Sequence, residues 1–431
     1  MKGGGRMLTR LKERLGPIGY RLAVAFVVIV AFLLVCILLK GNLVSGLKFS
    51  LDAILHMLPF FAAGAIVVLA IREGYIKTQI GTPLLAFIFA LIVGVVMILW
   101  ADKDPFKAYG ALLAGSLGSL QGISETLVIA TPLILTGLAI AFAFRCGLFN
   151  IGAEGQFIMG QMGAAWAGFT FKGLPMIVHM PLTLLCGTLS GALWASVPGF
   201  LKAKRGVHEV INSIMMNYIA LYLTHNLVNG VLMAPGQIPV TPTIAESAKL
   251  YRFLTFINPT FRVNLGLVVA LLAAWIIYVL LWKTTTGYEI RAVGINPHAA
   301  RYAGINVPKS ILLAMVISGA LAGTSGAVHV MGIQHKFVDV FNFIGYGFDG
   351  MAVALLGNNH PVGVIIGALL FGALSAGAAR MQLVAGVPKH IVTIIQAFII
   401  FFVAAEMIIK KFVTSPVAKN EITEAGKEVA G

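Results

Sequence analysis

Charge is what this chain most lacks. Asp, Glu, Lys and Arg make up 11% of its 431 residues, against roughly 25% in soluble domains. That is too little to cover a water-facing surface, and with 59% hydrophobic residues and a mean hydropathy of +0.93 the chain reads as a polytopic membrane protein. Cysteine is nearly as scarce. Cys36, Cys146 and Cys186 lie in or beside apolar runs without metal-ligand spacing, so neither a disulfide framework nor a zinc site follows. A phosphate-cradling loop is missing too, because the nearest string, GINVPKS at 304–310, lacks the second glycine and the spacing of G-x-x-x-x-G-K-[ST]. The chain therefore carries no ATPase of its own, binds no cofactor that the sequence reveals, and is not expected to be an enzyme. Basic patches interleaved with aromatics are likewise missing, so the net charge of +15 does not call for nucleic acid.

What is present is a series of apolar runs. Residues 1–21 form a basic cytoplasmic N-terminus, with Lys2, Arg6, Arg10, Lys12, Arg14 and Arg21 against the single acid Glu13. The run Leu22–Leu39 then reads as an uncleaved signal anchor, since no small-x-small site follows it. Further spans, each near the ~20 residues a helix needs to cross, are expected at 54–71, 83–100, 126–144, 151–171, 181–201, 210–228, 265–282, 311–331, 362–379 and 391–409. The piece 343–356 is short or re-entrant. The expected fold is an all-α bundle with twelve crossings, or eleven helices and a pore-lining hairpin. Its parts are the N-terminal extra spans over 22–110, a core over 111–410 and a cytoplasmic tail over 411–431.

Lys and Arg gather on the cytoplasmic side of membrane proteins, and with the N-terminus inside, 20 of the 31 fall there and 11 outside. A segment at 59–74, PFFAAGAIVVLAIREG, also aligns without gaps to PLILTGLAIAFAFRCG at 132–147. This is either a weak internal repeat of the kind transporters carry, or the ordinary Gly, Ala and Pro usage of membrane helices.

Two stretches are polar where the chain should be oily. RCGLFNIGAEGQF, 145–157, places Asn150, Glu154, Gln156 and three glycines between apolar runs. Unpaired backbone at membrane depth is tolerated only inside protein or along a water-filled path, and an ionisable residue there points to function by default. The plainer alternative is that Asn150 and Glu154 cap and neutralise broken helix ends. The second stretch, TTTGYEIRAVGINPHAARYAGINVPKS at 284–310, holds a complete small helix. Asn296 is its N-cap, Pro297 suits the first helical position and Gly304 takes the left-handed stop. About two turns cannot persist alone in water. The helix must dock, either on this chain's own helix ends or on a partner protein, with Arg291, His298 and Arg301 keeping the loop soluble.

GLFNIGAEGQF, VHEVINSIMMNYIALYL at 207–223, RAVGINPHAARYAGI and GYGFDGMAVALLGNNHPVGVIIGALLFGAL at 345–374 together resemble the permease subunit of an ABC importer of the branched-chain amino acid and simple-sugar class, nearest its nucleoside branch. The resemblance runs from about Thr126 to Glu406; His208 departs from the Asn usual before that Glu. It implies a bacterial plasma-membrane assembly with a separate ATPase subunit, a second permease and an external binding lipoprotein. The docking segment, Arg291, Asn296, Pro297, His298, Arg301 and Gly304, becomes the coupling helix to the ATPase. Asn150, Glu154, Gln156, Asn217 and Asp349 become the substrate path, able with Asn212 to hydrogen-bond ribose hydroxyls and base edges. For Asn212 and Asn217 a plain interhelical hydrogen bond is equally available.

The rival readings are an ABC permease for a simple sugar or another small polar solute, and a secondary transporter in which Glu154 or Asp349 carries a coupling proton. The topology is checked by fusing a cytoplasm-dependent reporter after Lys283 and after Ser247. Signal is expected at the first site and none at the second; the reverse pattern overturns the orientation.

Overall fold

The computed structural model describes residues 43–72, 78–339 and 342–404. The basic N-terminus, the run Leu22–Leu39, the tail 411–431 and the Gly74 end of the repeat lie outside the described residues. Fourteen α-helices are found among those described, in the order α1 (Leu43–Arg72), α2 (Thr78–Trp100), α3 (Pro105–Ser116), α4 (Leu120–Arg145), α5 (Ala153–Thr170), α6 (Met176–Arg205), α7 (Glu209–Asn229), α8 (Gly266–Lys283), α9 (Thr285–Ile295), α10 (Pro297–Tyr302), α11 (Val307–His329), α12 (Tyr346–Leu356), α13 (Pro361–Ala385) and α14 (His390–Ala404). The only strand-like pairing among them is an isolated bridge between Val240 and Val338. The fold is thus a polytopic helical bundle. It divides into two compact units, one within Met1–Ala108 and Ala385–Gly431, the other Tyr109–Val384. In the first, α2 packs against both α1 and α14. The second carries the sites described below.

Within that second unit, burial sorts the helices. The apolar window of α4 is 83% buried, while those of α6 and α8 are each 28% buried, so α4 is interior and the other two are peripheral. Helices α5 and α7 fall below the apolarity of the six candidate spans because they carry Glu, Gln and Asn; α5 nevertheless buries most of its length. Its neighbours, rather than lipid, satisfy it.

The helix ends sort onto two sides. On one, α6 stops at Gly206 in the left-handed conformation, and Lys202, Lys204 and Arg205 in its last turn complement the negative end of the dipole. Lys202 also pairs with Glu209 at 2.8 Å across the turn to α7. On the other, Arg262 pairs with Glu125, Ala245 N–H bonds the Gly168 carbonyl, and a hydrogen bond from Lys249 holds the Glu246 carboxyl below its ordinary range.

Two short helices exceed the sequence expectation. Asp104 Oδ1 accepts from Phe106 N–H at 2.8 Å and starts α3. Thr284 Oγ1 accepts from Gly287 N–H at 3.1 Å and starts α9, so 284–310 holds two helices rather than one. The piece over 343–356 is helical only from Tyr346 to Leu356. Its eleven helical residues span only about 16 Å, and residues 342–345 just before them are not helical.

Glycine sets the closest approach in the bundle. Helix α11 packs on α6 and α5 with Gly319 and Gly323 facing Gly191, Gly187 and Gly160, and Gly326 against the Phe157 and Gln161 backbone, the small-residue packing that lets membrane helices touch backbone to backbone. A Cβ on Gly323 would stand 2.5 Å from the Gly187 carbonyl and 2.9 Å from Gly191 Cα. Gly323→Val is therefore expected to cost at least about 1–3 kcal/mol and to lower the detergent melting temperature of the purified chain by several degrees. Gly110→Val, with open space at its Cβ, serves as the control. Equal melting for both variants would show that α6 and α11 do not interlock in this way.

Candidate functional site

The polar stretch at 145–157 builds the site. After α4 ends at Arg145, Gly147 turns the chain in the left-handed region (φ +74°), and residues 146–152 run back into the bundle without helix. Their peptide groups need partners: the N–H groups of Cys146, Gly147 and Leu148 find carbonyls of α4, and an amide side chain takes the Ile151 carbonyl. Asn150 and Gln156 form a reciprocal pair, Nδ2 to Oε1 at 2.9 Å and Nε2 to Oδ1 at 3.1 Å. Asn150 Nδ2 also donates to Ser318 Oγ at 2.8 Å, and that hydroxyl donates to the Ala139 carbonyl at 2.6 Å. From α7, Asn217 accepts from Gly155 N–H at 2.8 Å and donates to the Ile151 carbonyl at 3.0 Å. All three amides are at least 98% buried.

Glu154 lies in the first turn of α5, and no part of it reaches the surface. Its carboxylate is not paired with Lys or Arg among the described residues. Instead Gly345 N–H donates to Oε1 at 2.7 Å and Gly347 N–H to Oε2 at 2.6 Å. These belong to the start of α12, entered through Gly345 at φ +100°. One carboxylate thus sits at the positive ends of two helices, α5 and α12, and answers two of the four N–H groups a helix leaves open.

The depth of this junction follows from its neighbours. Gly350 lies against Thr136, nine residues before Arg145 at the end of α4, hence about 14 Å from that end. At the far end of α12, Arg145 Nε donates to the Asn359 carbonyl at 3.0 Å. Helix α12 therefore fills the half of the bundle nearest Arg145, and Glu154 meets its N-terminus near the middle.

Asp349 joins this group differently. It is half-buried in the first turn of α12, and its carboxylate accepts no hydrogen bond from the described residues. Asn212 is half-buried on α7, with its Nδ2 buried and unpartnered among them.

The second stretch folds as its caps require. Asn296 Oδ1 accepts from His298 and Ala299 N–H at 2.9 and 3.1 Å, Pro297 opens α10, and Gly304 closes it at φ +83°. Asn296, Pro297, His298, Arg301 and Gly304 are exposed, while Arg291 is half-buried on α9. Exposed with them are Tyr288, Ile295 and Tyr302, the last at 96%. Sequence reasoning missed these three; the available signal was large apolar residues in a polar connection. This segment rests directly on the break at the end of α4. A Cβ on Gly147 would stand 3.2 Å from the Gly294 carbonyl oxygen, and Gly294 in turn abuts the Arg145 and Cys146 backbone.

The family model described as branched-chain amino acid transport system / permease component matches residues 122–404. The guanosine ABC transporter permease protein NupP of Bacillus subtilis (strain 168) is 46% identical over 76% of this chain and 94% of its own length. The nucleoside ABC transporter permease protein NupB of Lactococcus lactis subsp. cremoris (strain MG1363) is 38% identical over 80% and 96%. The glucose ABC transporter permease protein TsgB13 of Haloferax volcanii is 36% identical over 77% and 89%.

Removing the carboxylate from Glu154 strands the buried Gly347 donor, at a cost of about 1–3 kcal/mol, and the partly buried Gly345 donor. Amide exchange at Gly345 and Gly347 is expected to rise in Glu154→Gln, which keeps one acceptor, and further in Glu154→Leu, with insertion normal in both. Unchanged protection in Glu154→Leu would show that the carboxylate does not hold the α12 terminus.

Proposed function

Since the chain belongs to the branched-chain amino acid transport system permease family, we propose that it is the membrane-spanning subunit of an ATP-driven importer that passes nucleosides, purine nucleosides foremost, across a bacterial plasma membrane. The observation that carries this reading is the stacking of an exposed two-helix segment, α9 and α10, on a chain break that leads within nine residues to a mid-depth junction of helix ends. Such an arrangement suits force delivered from outside the membrane. Relatives named for guanosine and for nucleosides support the cargo, ahead of the one named for glucose.

In this scheme a separate ATPase hydrolyses ATP and docks on Arg291, Asn296, Pro297, His298, Arg301 and Gly304, with Tyr288, Ile295 and Tyr302 giving the contact its apolar part. A second, different permease chain completes the core, and an external lipoprotein delivers the nucleoside. Asn150, Glu154, Gln156 and Asn217 shape the substrate path by holding the break, and Asp349 offers the carboxylate within it. A conformational change at the ATPase moves α9 against Gly147, and the irregular stretch 146–152 is where the bundle can yield without breaking a regular helix.

The test is uptake of labelled guanosine by cells expressing this chain with its ATPase and binding protein, against a strain lacking the chain. Uptake is expected to require the chain and to persist when an uncoupler is added with cellular ATP held constant. The Gly304 Cβ direction is open, so Gly304→Val strains only the left-handed stop, by about 1–2 kcal/mol. It should leave the complex assembled while guanosine uptake falls. Uptake that collapses with the uncoupler, or an assembled Gly304→Val complex importing at the normal rate, would overturn the driving force or the docking assignment respectively.

A further inference from the structure

One stretch of the exposed face of α7 departs from the aliphatic face of α6. On α6 the exposed large residues at successive turns are Leu185, Leu189, Leu193, Val197 and Phe200, as a hydrocarbon surface requires. On α7 Ile211, Met215, Ile219 and Leu223 are exposed in the same way, but the stripe that Ile211 and Met215 begin continues as Tyr218, 46% exposed, and one turn further out Tyr222, 60% exposed, with Asn226 exposed beyond them.

Across from Tyr218 stands Phe343, ring centroids 5.3 Å apart and edge-on, and Phe343 meets Phe348 at 5.7 Å, again edge-on. Both phenylalanines are half-exposed, and Asn342 beside them is exposed. They flank the non-helical entry to α12, which lies near mid-depth. Irregular backbone cannot face hydrocarbon there; it faces protein or a water-filled path. Next along α12 is the half-buried Asp349 carboxylate, and toward the other end of α7 lies the unpartnered Asn212 amide.

We infer that Tyr218, Tyr222, Phe343 and Phe348 form an aromatic lane along the substrate path, over which the planar base of the cargo passes while a ribose hydroxyl donates to Asp349. The inference rests on the nucleoside reading above and names the surface that serves it. Aromatic rings suit such a task because every base presents a π-face, so stacking tolerates different bases. A carboxylate accepts hydrogen bonds from sugar hydroxyls, which all nucleosides with an intact ribose share. Contacts of this kind lower the barrier for the cargo without holding it tightly.

The complex, reconstituted in liposomes with its ATPase and binding protein, gives two readouts. In the first, Tyr218→Cys and Phe343→Cys are exposed to a charged, membrane-impermeant thiol reagent. Labelling above that of the unaltered chain is expected, slowed by guanosine, while Leu189→Cys on α6 stays unlabelled. The second is the number of ATP hydrolysed per guanosine moved. A structural defect lowers transport and hydrolysis together, whereas loss of a cargo contact lowers transport alone. The double variant Tyr218→Leu, Phe343→Leu is expected to raise that ratio about tenfold, Asp349→Asn to raise it in the same direction, and Tyr218→Phe, which keeps the ring, to leave it unchanged. The lane is refuted if the cysteines are inert to the reagent, if they cross-link instead to the second permease, or if the ratio does not move in the double variant. Failure of the unaltered complex to move any nucleoside would instead sink the functional reading on which the lane rests.

Discussion

The structure depends on one carboxylate that has no cation beside it among the described residues. Glu154 is fully buried, yet its two oxygens take the Gly345 and Gly347 N–H groups at 2.7 and 2.6 Å. A charge in this position is costly unless something answers it. Here the answer comes from backbone: the positive ends of α5 and α12 converge on it. The dependence is mutual, since α12 begins in the middle of the bundle and its first N–H groups would otherwise face no acceptor. A Lys or Arg partner would bring a long side chain into a junction where even a Cβ on Gly347 would collide with the Glu154 backbone.

Around that junction, polar side chains do the work that water does at a soluble helix end. Asn150, Gln156, Asn217 and Ser318 hold 146–152 in an irregular path by closing on one another and on its backbone. This makes the break a defined object. The break also sits against α9, because Gly147 meets Gly294 with no side chain between them. The glycine seam between α11, α6 and α5 plays a different part, since close-packed backbone resists shear and gives the junction a stiff wall.

What the sequence determined by itself was local. The membrane class, most of the helix spans among the described residues, the cap at Asn296 and the left-handed stop at Gly304 all follow from composition or from interactions within a few residues. The family was legible too, because GAEGQ, HEVI and GFDGMAVALLG keep their order along the chain. Tertiary structure alone decided which polar residues do what. Glu154 and Gly345 are 191 positions apart and Asn150 and Ser318 are 168 apart, and no periodicity links them. The same holds for where 343–356 ends: its hydropathy does not say, and bonds from Arg145 to the Asn359 and Asn358 carbonyls place its far end. Asn217 and Asp349 looked alike as intramembrane polar groups, but packing consumed the first and left the second half-exposed. A side chain's type fixes how many hydrogen bonds it can make, whereas the distant backbone that folding brings beside it fixes how many remain for a ligand.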